Sequence, residues 1–311
     1  MDNQGNPETL IEAVKYFSDP QECIWFVASL RWPDGVECPR CGGGGWSFLK
    51  TRSLFKCKTC TKQFSVKVGT IFEDSAIGLD KWLTAMWLMS SCKNGISSCE
   101  IARSIGVTQK SAWFMDHRIR RAMKTGSILK LSGEVEVDET YIGGKARNMH
   151  ASTKARRITS TGGKDKVAVL GILERGGEVH LTVVPSVRKK VLQAEVRQHV
   201  TAGTSLYTDA LLSYEGLAGD YAHQVIDHAV SYVNGRIHTN GLENFWSLLK
   251  RGISGTYVAV EPFHLSRYLD EQAFRYNNRK GMTDGQRFAK LVGEIGGKRL
   301  TLNELTGKDL N

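Results

Sequence analysis

The chain has 311 residues, 41% hydrophobic and 24% charged, an ordinary balance for a globular protein with room for two or three domains. No apolar run approaches the length of a membrane span and the N-terminus lacks a secretory signal, so we expect a cytoplasmic protein. The net charge of +10 favours a polyanionic partner such as nucleic acid, with a merely basic, soluble surface as the alternative.

Residues 1–33 are predicted to form a helical lead-in. Apolar residues at helical spacing predict one helix before Asp19-Pro20 and a second short helix over Cys23–Leu30. The sequence does not indicate a role for this segment.

The first strong motif is a pair of Cys-x-x-Cys turns within residues 34–75. Cys38 and Cys41 form one turn, Cys57 and Cys60 form the other, and fifteen residues separate the two turns. Such turns on neighbouring hairpins can place four thiolates around one tetrahedral Zn²⁺ ion, which leaves no open position for catalysis. We therefore predict a structural zinc ribbon; a rubredoxin-like iron site and a redox-active pair are the alternatives.

Residues 76–130 are predicted to be helical and to contain a helix-turn-helix. Gly106 permits a sharp turn between two short helices, and Thr108 can cap the second. Gln109 and Lys110 open that second helix, where helix-turn-helix proteins contact base edges. The helix also carries two further cations that we predict to bind DNA, Arg118 and Arg121. An ordinary helical hairpin packed on the core is the alternative.

Basic charge is concentrated in two runs. Residues 38–67 hold seven Lys/Arg and no Asp/Glu, and residues 145–166 hold seven Lys/Arg against one acid. The first run favours DNA as the partner of the zinc ribbon. Because the second run is rich in Gly, Ser and Thr, we predict a flexible loop in which Lys154, Arg156 and Arg157 bind DNA phosphates.

Residues 131–290 are predicted to form a mixed α/β domain, followed by a C-terminal tail at 291–311. Alternating apolar residues predict strands at 135–142, 166–173, 178–184, 205–208 and 224–227, and helical spacing predicts helices at 188–200, 241–251 and 263–278. The first three strands can form an antiparallel meander. This βββ-α-β-α-β-α order is that of the ribonuclease-H-like fold, so the whole chain is predicted to be an α+β multidomain protein.

Three acidic residues lie where predicted elements end or begin. Asp138 ends the first strand, Asp209 ends the fourth, and Glu243 lies on the helix after the fifth, with 33 residues between Asp209 and Glu243. Carboxylates are the ligands that Mg²⁺ prefers, and two such ions about 3.5–4 Å apart can activate the attacking oxygen and stabilise the leaving oxygen of a phosphoryl transfer. We predict a Mg²⁺ (or Mn²⁺) site here; a single acid is more often a solvated surface charge.

Glu243 is preferred over two other acids as the third ligand. Glu139 directly follows Asp138, and neighbouring side chains on a strand point to opposite faces, so Glu139 is predicted to point away from the metal. Asp227 lies near the end of the fifth strand without a suitable helical partner. Glu243 and Lys250 share one helix face, which predicts that Lys250 binds a phosphate beside the acids; the alternative is the wet face of an amphipathic helix.

Three stretches together resemble DDE transposases, specifically the insertion-sequence-1595-like group and its Merlin relatives: Val137–Lys145, Tyr207–Asp209 and His238–Gly252. The zinc ribbon and helix-turn-helix ahead of the catalytic domain also match that group, so the resemblance covers residues from about 9 to 290. Some members of this group have Asn at the third catalytic position, followed by a Lys. This chain has Glu243 with Lys250 and so resembles the members that have an acid at the third position.

The resemblance implies that the protein moves a short DNA element by a cut-and-paste or replicative route, through hydrolysis of the element's ends and strand transfer to a target. It also implies a homo-oligomer acting on double-stranded DNA with paired terminal inverted repeats. The alternatives are a domesticated, non-catalytic DNA-binding regulator and a ribonuclease-H-like nuclease or resolvase without strand transfer.

Overall fold

The computed structural model describes residues 7–124, 130–144, 150–157, 166–226 and 238–308. These residues divide into two compact units: one contains the described residues up to 124 together with 278–308, and the other those between 130 and 277. The sequence-based boundaries placed 278–290 in the catalytic domain and 291–311 in a tail, whereas residues 278–308 pack within the first unit.

The secondary-structure elements of the described residues are numbered here in chain order. The helices are α1 (Leu10–Tyr16), α2 (Pro20–Arg31), α3 (Leu79–Ser91), α4 (Ser98–Ile105), α5 (Gln109–Met123), α6 (Ala151–Arg157), α7 (Lys189–His199), α8 (Asn240–Arg251), α9 (Leu265–Asn277), α10 (Asp284–Gly293) and α11 (Leu302–Thr306). The strands are β1 (Trp46–Leu49), β2 (Leu54–Cys57), β3 (Gln63–Phe64), β4 (Glu134–Ile142), β5 (Val167–Glu174), β6 (Val179–Val184), β7 (Ser205–Asp209) and β8 (Ala222–Ile226). None of the described helices is long and apolar enough to cross a membrane.

In the first unit, α10 explains why residues far apart in sequence belong together. Its Phe288 is buried, and its ring centroid lies 5.6 Å from those of Phe17 and Phe26 and 5.0 Å from that of Trp87. Aromatic rings bury a large apolar area and pair favourably at such distances. Helix α10, which the predicted boundaries divided between the catalytic domain and the tail, therefore supplies part of the core under the N-terminal helices.

The zinc-ribbon region folds as an antiparallel sheet in the order β1-β2-β3 within the described residues. Phe55 is fully buried in it, with ring centroids 5.3 Å from Trp46, 5.1 Å from Phe48 and 5.6 Å from Phe64. A module of this size has little core of its own, and small modules of this kind commonly gain stability from a structural metal site.

Helices α4 and α5 form the predicted helix-turn-helix pattern. Ser97 and Glu100 form a capping box at the start of α4, and Thr108 accepts a hydrogen bond from the amide of Ser111 at the start of α5. Gly106 ends α4 with φ of +64°, a conformation that favours glycine.

In the second unit, five strands of the described residues form one mixed sheet in the order β6-β5-β4-β7-β8. β4, β5 and β6 pair antiparallel, as predicted for the meander, whereas β7 runs parallel to β4 and β8 runs parallel to β7. On β5, Leu170 and Ile172 join the core cluster that contains α7 residues, and Val169 and Leu173 join the cluster that contains α8 and α9 residues. The predicted α+β multidomain class is confirmed.

Two local features differ from the sequence-based description of this unit. The stretch 145–166, predicted to be a loop, contains the helix α6. Helix α8 is followed directly by a π-helical segment, Gly252–Tyr257.

Candidate active site and metal centres

The four cysteines of the ribbon come together as a candidate zinc centre. The sulfur atoms of Cys38 and Cys60 are 3.7 Å apart, those of Cys41 and Cys57 are 3.6 Å apart, and all four lie within 4.8 Å of one another. A tetrahedral site with Zn–S bonds of about 2.3 Å requires sulfur separations of about 3.8 Å. The donor set therefore fits a structural Zn²⁺ ion.

A backbone donor favours the thiolate form of one of the four cysteines, Cys57. The amide of Cys60 lies 3.4 Å from the sulfur of Cys57 and donates to it, and this contact is the main cause that lowers the pKa of Cys57 to about 6. A thiolate is the form that binds zinc. At Cys41 the backbone of Gly43 lowers the pKa, but hydrogen bonds with the neighbouring thiols and burial raise it to about 12. The loop geometry thus favours the thiolate at Cys57 and not at Cys41.

Asp138 and Asp209 lie side by side because of the register between two parallel strands. The last paired residues of β4 and β7 are Val137 and Thr208, and each aspartate is the next residue along its strand. Among the described residues, one ligand oxygen from each of Asp138, Glu139 and Asp209 lies within 4.8 Å of the others. Convergent carboxylates of this kind suit a hard divalent cation such as Mg²⁺.

Asp138 is held by two donors in a partly buried position. Trp246 donates its indole N–H to Oδ2 at 2.8 Å, and the amide of Glu139 donates to Oδ1 at 2.9 Å. Burial is the main cause that raises the pKa of Asp138 to about 6, and the charges of Asp209 and Glu243 raise it further. A bound cation would relieve the repulsion between these carboxylates.

Gly171 allows the tryptophan to reach Asp138. It is the cross-strand partner of Asp138 on β5, and a Cβ atom there would lie 2.6 Å from Cζ2 of Trp246 and 2.9 Å from Cδ2 of Leu242. Any larger residue would displace α8 or its side chains.

Glu139 does not point away from the cluster, contrary to the expectation from strand alternation. Tyr214, which is 1% exposed, donates its hydroxyl to Oε2 of Glu139 at 2.8 Å. Burial is the main cause that raises the pKa of Glu139 to about 7, with Asp209 and Asp138 adding to it. Strand alternation itself holds, since Glu139 contacts Tyr214 on the face of Val137 and Asp138 contacts Trp246 on the other face. The carboxylates still converge because the pairing of β4 with β7 ends at Val137 and Thr208, so side chains from both faces can reach the space beyond it.

Glu243 is exposed in the first turn of α8 and lies outside the group of three described carboxylates that converge within 4.8 Å. Its charge nevertheless contributes to the raised pKa of Asp138, so it lies in the same electrostatic environment. Lys250 is exposed near the other end of α8. Asp227 lies outside the described residues.

The predicted DNA contacts on α5 divide into exposed and buried side chains. Lys110 is exposed, and Gln109 donates to the hydroxyl of Ser98 at 3.0 Å across the turn. Arg121 has 39% of its side chain exposed and lies 3.9 Å from a carboxylate oxygen of Glu304. These side chains remain accessible to a DNA backbone.

Arg118 was predicted to bind DNA, but it lies in the core. It is 5% exposed and donates to the carbonyl oxygens of Leu300, Ile71 and Glu73. Its guanidinium therefore joins distant segments of the first unit and does not face DNA.

On α6, Lys154 is exposed. Arg156 and Arg157 lie in the same helix, but their side chains are outside the described ones.

Four contributors to the site were missed by sequence reasoning: Trp246 and Tyr214, which donate to Asp138 and Glu139, and the pair Glu136 and Arg175. Glu136 is 1% exposed and accepts hydrogen bonds from Arg175 and from the backbone of α8. The only sequence signal was the position of Glu136, two residues before Asp138 and thus on the same face of the strand.

Asp138 lies in the middle of β4, not at the strand end as predicted, and converges with Asp209 at the end of the parallel strand β7. Convergent acids on a mixed α/β sheet of this kind fit the class of polynucleotidyl transferase domains. Residues 130–277 match the ISXO2-like transposase domain, and residues 18–63 match the transposase zinc-ribbon domain. The chain belongs to this transposase family.

Two relatives carry related descriptions. An uncharacterised protein in transposable element ISH50 of Halobacterium salinarum is 28% identical over 269 residues, which cover 82% of this chain and 90% of the relative. An uncharacterised transposase-like protein of Haemophilus influenzae is 30% identical over 102 residues, which cover 32% of this chain and 82% of the relative.

Proposed function

We propose that this chain is an active DNA transposase that cleaves the ends of its element and joins them to target DNA. The observation that carries the proposal is the convergence of Asp138, in the middle of β4, with Asp209 at the end of β7, with Glu243 close enough to affect the pKa of Asp138. Asp138, Asp209 and Glu243 would hold the divalent cations, Mg²⁺ or Mn²⁺. When bound, such ions activate the attacking oxygen and stabilise the leaving oxygen.

The reaction has two phosphoryl transfers. In the first, water attacks a phosphodiester at the element end, and the bond to the 3′ oxygen breaks to leave a 3′ hydroxyl. In the second, that hydroxyl attacks a phosphodiester of the target, so that one bond forms as another breaks. Lys250 would hold a phosphate as a point charge beside the acids. Trp246 and Tyr214 orient Asp138 and Glu139 throughout.

The first unit would bind the DNA. The ribbon run 38–67 and the exposed Lys110 and Arg121 supply positive charge for phosphates, and Gln109 begins the helix that would reach base edges. The family resemblance further suggests a homo-oligomer that holds two terminal inverted repeats at once. Lys154, Arg156 and Arg157 would add phosphate contacts from the second unit.

The test incubates the purified chain with Mg²⁺ and DNA that carries the repeats flanking its own gene, together with a target plasmid. We expect nicked ends and joined products, and neither with Asp209→Asn, which should still bind the repeats. Cleavage without joined products would instead support the nuclease or resolvase alternative. Repeat binding without cleavage by the unaltered chain would support a non-catalytic regulator.

A further inference from the structure

Glu136 is a buried carboxylate that connects the strand of Asp138 to the helix of Glu243. It is 1% exposed, and its Oε2 accepts a hydrogen bond from the amide of Leu242 at 3.0 Å. Its other oxygen accepts from Nε of Arg175 at 2.8 Å. Leu242 immediately precedes Glu243, so this contact fixes the backbone next to the predicted third acid.

Arg175 connects His238, two residues before α8, to the same carboxylate. Its Nη2 donates to the carbonyl of His238 at 2.7 Å, while its guanidinium lies over the ring of Tyr207 at 4.1 Å from the centroid. Nδ1 of His238 also lies 3.3 Å from Oε1 of Glu136. The start of α8 is thus connected to β4 through both backbone and side-chain contacts.

The helix is in direct contact with Glu136 at its first turn. A Cβ atom on Gly241 would lie 2.7 Å from Oε2 of Glu136 and 2.6 Å from Cδ2 of Leu173. Glycine at this position permits the approach without displacing either side chain.

A second contact holds the same helix further along. Trp246 donates to Asp138, just as Leu242 donates to Glu136. The two acceptors are two residues apart on β4, and the two donors are four residues apart on α8. Two residues of a strand span roughly 6.6 Å. Four residues of a helix rise roughly 6.0 Å. The two spacings match, and two attachment points fix the rotation of α8 as well as its distance from the strand.

A buried ion pair is weak evidence for stability, because an apolar residue of similar size often serves as well. The hydrogen bonds made by Glu136 are directional, and one of them holds Leu242, which is next to the proposed metal ligand Glu243. We propose that Glu136 and Arg175 are positioning residues, which set the place of Glu243 relative to Asp138 and thereby the geometry for divalent cations. The effect on cation binding rests on the proposed function. The effect of Glu136 on the position of α8 does not, and it can be tested separately.

Three variants separate the charge of Glu136, its role as a hydrogen-bond acceptor and the charge of Arg175. Glu136→Leu removes both contacts, Glu136→Gln keeps an oxygen for the amide of Leu242, and Arg175→Met removes the cation. The matched control is Glu134→Gln, which makes the same chemical change on the same strand, in a carboxylate 3.6 Å from Arg175.

The first readout is the indole N–H resonance of Trp246 in the full-length chain without metal, assigned with Trp246→Phe. We expect Glu136→Leu to shift or broaden this resonance and Glu134→Gln to leave it in place. An unchanged resonance in Glu136→Leu overturns the proposal. If Glu136→Leu does not fold, Glu136→Gln and Arg175→Met provide the same comparison.

The second readout is the affinity for Mn²⁺ alone. We expect Glu136→Leu to weaken it roughly 10- to 100-fold, the range seen for residues that orient metal ligands, and Glu136→Gln to weaken it less. At pH 8.5, where Asp138 is ionised with or without its bond from Trp246, Glu136→Leu in a Glu243→Gln background should add less than about twofold, because Glu136 acts through Glu243. A full additional loss in that background overturns the positioning role.

The two readouts distinguish failure of the proposal from failure of the proposed function. If Glu243→Gln binds Mn²⁺ as tightly as the unaltered chain, the ligand set of the proposed function is wrong. The indole resonance still decides whether Glu136 positions α8. If the resonance moves while all variants bind Mn²⁺ equally, the role in metal geometry is overturned.

Discussion

Trp246 donates its indole N–H to Oδ2 of Asp138 at 2.8 Å, and this bond lowers the pKa of a carboxyl that burial raises to about 6. The bond therefore keeps more of Asp138 ionised near neutral pH, which is the form that binds a cation. A helix residue far along the chain thus adjusts the chemistry of the central strand.

Replacing Trp246 with Phe should keep most of the packing and remove this bond. A hydrogen bond to a charged group contributes about 1.5–3 kcal/mol, so the pKa of Asp138 should rise and Mn²⁺ affinity at pH 6 should fall about tenfold. The loss should be much smaller at pH 8.5, where the carboxyl ionises in either protein. Titrations at the two pH values check this, and an equal loss at both would contradict it.

Gly171→Ala should destabilise the second unit, because the new methyl group would overlap the ring of Trp246. Overpacking of this kind costs about 1–3 kcal/mol. Denaturant unfolding measures the effect, and cleavage should also fall. The matched control is Gly219→Ala, where a Cβ would meet no described atom within 4 Å. Equal stabilities for the two variants would show that the site tolerates the shift.

Without divalent cations, the stability of the chain should fall as the pH rises from about 4 to about 7. Burial raises the pKa of Asp138 to about 6 and that of Glu139 to about 7, so the folded chain holds protons that the unfolded chain has released. Adding Mg²⁺ at pH 7.5 should raise Tm, because the ion binds only the folded site. In Asp138→Asn this rise should largely disappear. A Tm that does not respond to Mg²⁺ would argue against a metal site.

The antiparallel meander of β4, β5 and β6 was predictable from sequence because its apolar residues alternate between two cores, as Leu170 and Val169 do on β5. The approach of Glu139 to the cluster was not, because alternation assigns a side chain to a face but does not show where a neighbouring strand stops pairing. Arg118 was misassigned for another reason. Helical spacing shows which residues share a face of α5, but not which other segments pack on that face. Here Arg118 donates to the carbonyl oxygen of Leu300, 182 residues away.

One zinc ion per chain should be bound by the ribbon. Cys57→Ser and Cys60→Ser should each lose it, since a tetrahedral site with three thiolates binds more weakly. The control is Cys99→Ser, which changes an exposed cysteine outside the cluster and should retain zinc. Elemental analysis of the purified proteins gives the answer. Zinc retained in both ribbon variants would rule out these ligands.

Glu243 and Glu139 can be separated as candidate third ligands. Glu243→Gln should abolish Mg²⁺-dependent cleavage while binding of the element ends persists. Glu139→Gln should retain measurable cleavage with a weaker Mn²⁺ affinity, because Tyr214 already occupies one of its oxygens. Gel assays of cleavage, paired with Mn²⁺ titrations, compare the two. Normal cleavage by Glu243→Gln together with none by Glu139→Gln would make Glu139 the third ligand.

Lys250 provides the last comparison on the same helix. If it holds a phosphate, Lys250→Ala should weaken cleavage while leaving Mn²⁺ affinity unchanged, since a phosphate contact acts on the DNA and not on the ion. The control is Arg251→Ala, which removes a charge from the adjacent exposed residue. Adjacent residues on a helix point about 100° apart, so only one of the two can face the strip of DNA next to Glu243. Equal losses from the two variants would mean that Lys250 contributes only general positive charge.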